Sequence, residues 1–94
     1  MQRDKQKVEK SLSAKGFRKD NTHHTFFIYW TRDGKKTTVK TKTSHGSSSK
    51  SIGISLLGKM ADQCRLKKEE FLDLVDCPLN REAYEKILLR RGVL

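Results

Sequence analysis

Apolar positions along the chain recur with two periods, and the switches between them outline its elements. In residues 4–15, Val8 and Leu12 lie four apart on one helix face, with Asp4 placed to cap the start and Gly16 to stop it. That apolar stripe is narrow, so the helix needs a sheet to lean on. A short strand is expected from Phe17, followed by a turn at Asp20-Asn21. Residues 24–31, from His24 to Thr31, are almost wholly aromatic or β-branched and predict a second strand. Arg32-Asp33-Gly34-Lys35 predicts a hairpin turn, with Asp-Gly supplying positive φ angles. The return strand, 36–43, alternates: Lys36, Thr38, Lys40 and Lys42 share one face, and Thr37, Val39, Thr41 and Thr43 the other.

A small polar loop from Ser44 to Lys50 then leads back to helical spacing. Ile52, Leu56, Met60 and Cys64 stand in line over a helix at 51–63, with Leu57 and Ala61 beside them. Two shorter helices are expected after it. One runs from Lys67 to Val75, ahead of Cys77-Pro78. Asn80 caps the other, which carries Ala83, Tyr84, Ile87 and Leu88 as its stripe. The order is αβββα with two helices appended. It predicts an α+β fold: a three-stranded antiparallel sheet with helices packed on one face, plus a C-terminal helical extension. Residues 1–94 form one domain on this reading, a core over 5–63 and a two-helix extension over 65–94.

Composition narrows what such a domain can do. Apolar residues make up 34% of the 94, enough for one small core and none to spare for a deep cofactor cavity. Activity must therefore sit on an open surface. The formal net charge is +10, and it is uneven: residues 1–50 carry 13 basic and 4 acidic side chains, residues 51–94 carry 8 and 7. A field of this kind gathers phosphates. Six lysines or arginines touching phosphates would give a log–log salt slope of roughly −4 to −5. Cys64 and Cys77 stand in apolar surroundings without CxxC spacing and read as reduced core thiols of a cytosolic protein, with no zinc site. Met1 to Lys5 lacks the apolar core of a signal peptide, and no apolar run approaches membrane-spanning length.

Helices on one sheet face leave the other open. Lys36, Lys40 and Lys42 are too charged for core, so their face is the open one. On the preceding strand Phe26, Ile28 and Trp30 alternate with Phe27 and Tyr29, and one set must be core. The other set joins the lysines, and aromatics interleaved with cations suit single-stranded RNA. Phe27 and Tyr29 stack bases if they are the outward set, with Lys36, Lys40, Lys42 and Lys50 on phosphates. His23-His24 opens this strand. Histidine both accepts and donates protons near neutral pH, which is what metal-free RNA cleavage requires. No Ser/His/Asp arrangement, phosphate loop or metal-binding carboxylate cluster can be assembled. Glu69, Glu70 and Asp73 read as a solvated helix face.

Lys15-Gly16-Phe17, then Thr22-His23-His24 leading into an aromatic strand, a Gly turn, a basic return strand ending near a histidine and a closing helix resemble the HicA family of toxins. The resemblance covers roughly residues 5–63. It implies a fold like a double-stranded-RNA-binding domain and a metal-independent endoribonuclease that cuts mRNA, needs no cofactor and is masked by a cognate HicB-like antitoxin. The family's Gly-Ser-His stands here as Asn21-Thr22-His23-His24, so either histidine fits its essential one. Alternation puts His23 on the open face if Phe26 and Ile28 are core, and His24 if Phe27 and Tyr29 are; His24, next to the aromatic run, is favoured. His45 is the candidate for a second acid–base group. The alternative is a non-catalytic RNA- or DNA-binding module using the same basic, aromatic face. Residues 65–94 extend the core or shape the antitoxin surface.

Overall fold

The structure, a computed structural model, describes residues 2–20, 26–42, 51–76 and 78–94. Among them the elements run β1 (Gln2–Asp4), α1 (Lys5–Ala14), β2 (Phe17–Asp20), β3 (Phe26–Trp30), β4 (Lys36–Lys42), β5 (Ser51–Gly53), α2 (Ile54–Gln63), α3 (Lys68–Asp76) and α4 (Arg81–Arg90). The fold is α+β, as the pattern predicts. Strands β2, β3 and β4 form an antiparallel sheet in that order, with helices packed against one side.

The predicted caps are in place. The Asp4 carboxylate accepts from the backbone N–H groups of Gln6 and Lys7, and the Asn80 side chain accepts from that of Ala83. Each meets a donor that the first helical turn cannot satisfy internally.

Two expectations are corrected. Residues 51–53 do not begin a helix but form β5, which pairs antiparallel with β1, so Ile52 faces Arg3 across a two-stranded sheet. Ile52 is still buried, by a different element. The helix starts only at Ile54, behind an extended Gly53. Residues 2–4 supply a distant partner strand, which no local periodicity reveals. At the β3–β4 turn, positive φ falls on Gly34 alone and not on Asp33. The Gly34 N–H donates to the Thr31 carbonyl, and Thr31 N–H to that of Lys35, closing a longer loop than a two-residue hairpin.

Residues beyond 64 complete the core. Phe17, Tyr29 and Tyr84 meet in an aromatic cluster joining β2, β3 and α4, with centroids 5.1–5.7 Å apart. The Tyr84 hydroxyl donates to the Cys64 carbonyl at 2.8 Å. Phe71, Leu74 and Val75 of α3 and Leu88 of α4 join the same buried cluster. In the last turn of α3, carbonyls that helical geometry leaves unpaired are met from α1 and the residue that follows it: Ser11 Oγ donates to the Val75 carbonyl and Lys15 Nζ to that of Leu74, and Lys15 Nζ also reaches the Leu79 carbonyl in the segment after the helix. Cys64 is a free, buried thiol, and burial pushes its pKa up, which makes it inert. Cys77 lies outside the described residues. Among those residues no helix is long and apolar enough to cross a membrane.

Gly16 joins α1 to β2 with φ +103°, and a Cβ there would come within 2.6 Å of Arg81 Nε and 2.8 Å of the Tyr29 ring. Gly16→Ala is therefore expected to cost about 2–4 kcal/mol through left-handed strain plus overpacking. Gly34 has φ +87° with open space around it. Gly34→Ala is expected to cost only about 1 kcal/mol. Urea unfolding of both variants checks the contrast.

Candidate nucleic-acid interface

Burial alternates along β3 and settles which side of the sheet is open. Phe27 and Tyr29 are fully buried against the helices; Phe26, Ile28 and Trp30 face the other way. The expectation that Phe27 and Tyr29 stack bases is therefore wrong. Both side chains are core, because Tyr29 packs into the aromatic cluster and donates its hydroxyl to Glu85 Oε1 at 2.7 Å. The outward set is Phe26, Ile28 and Trp30.

The cations align with that set. On β4, Val39 and Thr41 are buried while Lys36, Thr38, Lys40 and Lys42 are exposed. Cross-strand partners share a face, and the pairs are Phe26 with Lys42, Ile28 with Lys40 and Trp30 with Lys36. The register slips between Ile28 and Trp30. It slips by two residues, an even number, so the alternation survives and all three lysines stay on one side. The Thr37 hydroxyl bridges the irregularity, donating to the Tyr29 carbonyl and accepting from the Val39 N–H. On the other flank, Arg18 of β2 pairs with Ile28, and its guanidinium lies 3.9 Å from the Trp30 ring centroid. Lys40 Nζ lies 5.2 Å from that of Phe26. Lys36, Lys40 and Lys42 make no ion pair among the described residues, so their charge is available to a ligand.

The result is a row of three apolar side chains, two of them aromatic, with a line of ammonium groups on the β4 flank and, on the β2 flank, the Arg18 guanidinium beside Ile28 and the Asp20 carboxylate beside Phe26. Phe26 and Trp30 stand four residues apart on one strand, about 13 Å. Rings at such separation can each hold a base while the lysines hold phosphates.

The face continues past Lys42 into a cleft between β4 and the end of α2, which Asp62, Gln63 and Arg65 line with Phe26, Lys40 and Lys42. Gln63 Oε1 accepts from Thr41 Oγ1 at 2.7 Å and from the Lys42 N–H at 3.3 Å, pinning α2 to the strand. The helix ends in a Schellman arrangement: Leu66 N–H donates to Ala61 and Arg65 N–H to Asp62. Its left-handed position, usually glycine, holds Arg65 at φ +64°.

Of the residues singled out from sequence, the structure gathers Lys36, Lys40 and Lys42 on one open face. His23, His24, His45 and Lys50 lie outside the described residues. Sequence reasoning missed Arg18, Asp62, Gln63 and Arg65. The alternation of Phe17 with Arg18 could have placed Arg18; nothing local marks the other three. Among the described residues no three His, Cys, Asp or Glu side chains stand together as a metal ion would need.

Comparison with models of known protein families, with curated proteins and with solved structures finds no match.

Two predictions concern residues that frame this face. Arg65→Gly removes left-handed strain at no cost in contacts to the backbone, and is expected to stabilise the fold by about 1 kcal/mol in urea unfolding. Burial, with the Glu85 hydrogen bond second, raises the Tyr29 pKa from the ordinary 10.0 to about 12. The folded state thus holds this proton more tightly, so its contribution is complete below pH 10 and is lost as pH rises towards 12. Stability is expected to fall over that window in the wild type and less steeply in Tyr29→Phe, as followed by denaturant midpoints against pH.

Proposed function

We propose that this protein is a toxin-type endoribonuclease that holds single-stranded mRNA on the open face of its sheet and cleaves it by metal-independent histidine acid–base chemistry. The observation that carries the reading is the placement of Phe26 and Trp30 between Arg18 and Lys36, Lys40 and Lys42, which make no ion pair among the described residues. Stacking rings supply sequence-tolerant affinity and the cations neutralise phosphates. Lysine outnumbers arginine on this face, which suits phosphate contact better than base readout in a DNA groove.

The chemistry rests on the histidines and on the HicA resemblance. Phe26 and Lys42 are cross-strand partners. The segment carrying His23 and His24 enters the sheet at Phe26, and the segment carrying His45 leaves it at Lys42. Both therefore join the same end of the face. His24, in preference to His23, is proposed as the base that takes the 2′-hydroxyl proton. His45 would protonate the leaving oxygen, and the lysines would stabilise the phosphorane charge. Such a nuclease works in the cytoplasm, and a HicB-like antitoxin would silence it by covering this face.

Induced expression is expected to arrest growth and degrade mRNA, and His24→Ala to abolish both while the protein stays folded. Retained activity in the His23→Ala, His24→Ala double variant would sink the histidine mechanism. Intact RNA with wild type, alongside salt-sensitive RNA binding, would leave a non-catalytic binding module. Four face cations predict a log–log salt slope of about −3 for single-stranded RNA, reduced by about 0.7 in Lys40→Ala.

A further inference from the structure

The cleft between β4 and α2 offers more than charge. Its volume is about 410 Å³. That lies in the range of small-ligand sites, roughly 300–1,000 Å³. Phe26 gives it an aromatic wall shared with the sheet face, and Lys40, Lys42 and Arg65 bring three cations. Asp62 is out of keeping with a site for phosphate alone, since a carboxylate repels an anion. It is in keeping with a base edge that donates hydrogen bonds.

Gln63 narrows the choice. Its oxygen is occupied by Thr41 and by the Lys42 N–H, an orientation only an acceptor can satisfy. The amide nitrogen is left to donate, and among the described residues it has no acceptor. The cleft therefore presents a fixed donor from Gln63 and an acceptor-only carboxylate from the residue beside it. Guanine carries an acceptor, O6, next to two adjacent donors, N1–H and N2–H₂. Adenine, cytosine and uracil each offer a carboxylate only one donor group.

We infer that this cleft is a guanine-recognition pocket for one nucleotide of the bound RNA strand. Gln63 Nε2 donates to O6, the Asp62 carboxylate accepts from N1–H and N2–H₂, Phe26 stacks on the base, and Lys42 and Arg65 take the flanking phosphates. The inference rests on the RNA-binding reading above and deepens it, making Asp62 and Gln63 specificity-determining residues at the end of the sheet where the histidine-bearing segments join. It also gives a reason for Arg65 at a position where glycine would be less strained.

The test is binding of labelled 2′-O-methyl oligouridylates, which lack the 2′-hydroxyl that the proposed cleavage needs, with one central guanine, adenine, cytosine or uracil, followed by fluorescence anisotropy at low salt. Two near-isosteric variants probe the pocket. Asp62→Asn replaces the acceptor partly by a donor. Gln63→Glu keeps the oxygen that Thr41 and Lys42 use and removes the donor. Wild type is expected to bind the guanine strand about tenfold tighter or more, and each variant to bring that ratio close to one. Equal wild-type affinity for all four strands, or a guanine preference that survives both variants, overturns the inference while leaving the RNA-binding face standing. Failure of any strand to bind overturns both. Guanosine 5′-monophosphate that competes as well as the strand itself overturns the strand-borne form of the site.

Discussion

The burial of Tyr29 is the constraint on which the rest of the molecule turns. Its ring meets Phe17 and Tyr84 at edge-to-face separations, its hydroxyl finds Glu85, and its flank presses on Gly16, which only a residue without a side chain can occupy. A large ring so placed cannot be turned outward without opening the core. Because strand side chains alternate, seating Tyr29 inward also seats Phe27 inward and sends Phe26, Ile28 and Trp30 to solvent. The even slip in the β3–β4 register preserves that parity on β4, so the lysines and the exposed rings belong to one surface.

The C-terminal helices are what make this arrangement affordable for so small a chain. Tyr84 of α4 fills the centre of the aromatic cluster, while the Arg81 guanidinium donates to the Trp30 and Thr31 carbonyls and anchors the end of β3. The buried Lys15 ammonium and the Ser11 hydroxyl close the end of α3 onto α1. Unpaired buried carbonyls are costly, about 1–3 kcal/mol each, so these bonds matter more for what they prevent than for what they add. The helices thereby bury Phe17, Phe27, Tyr29, Val39 and Thr41 on one side of the sheet and leave the opposite face open.

On the reading proposed above, stability and recognition pull against each other at one point in particular. The end of α2 uses every hydrogen bond of a Schellman stop yet holds Arg65 where glycine would sit without strain. Gln63, two residues earlier, ties the helix to β4 through its oxygen and lines the cleft. Local strain of about 1 kcal/mol, kept beside a basic and aromatic cleft, fits a site maintained for a ligand rather than for the fold.

Much of the fold was legible from the chain alone. Helix caps at Asp4 and Asn80, the glycine stop after α1, the β-rich run and the alternation of β4 all depend on neighbours within a few residues, and local sequence encodes local interactions directly. The exposed lysines followed from the same rule, since a strand with Lys36, Lys40 and Lys42 on one side has only one way to face. Tertiary structure alone decided the remainder. Sequence alternation splits β3 into two aromatic sets but assigns neither to the core; Phe17 and Tyr84, 12 and 55 residues away along the chain, made that choice. The β1–β5 pairing joins residues about 50 apart, and the cleft brings Phe26 beside Asp62, Gln63 and Arg65. Contacts between distant segments depend on the packed geometry of the whole chain, and a local pattern carries no record of them.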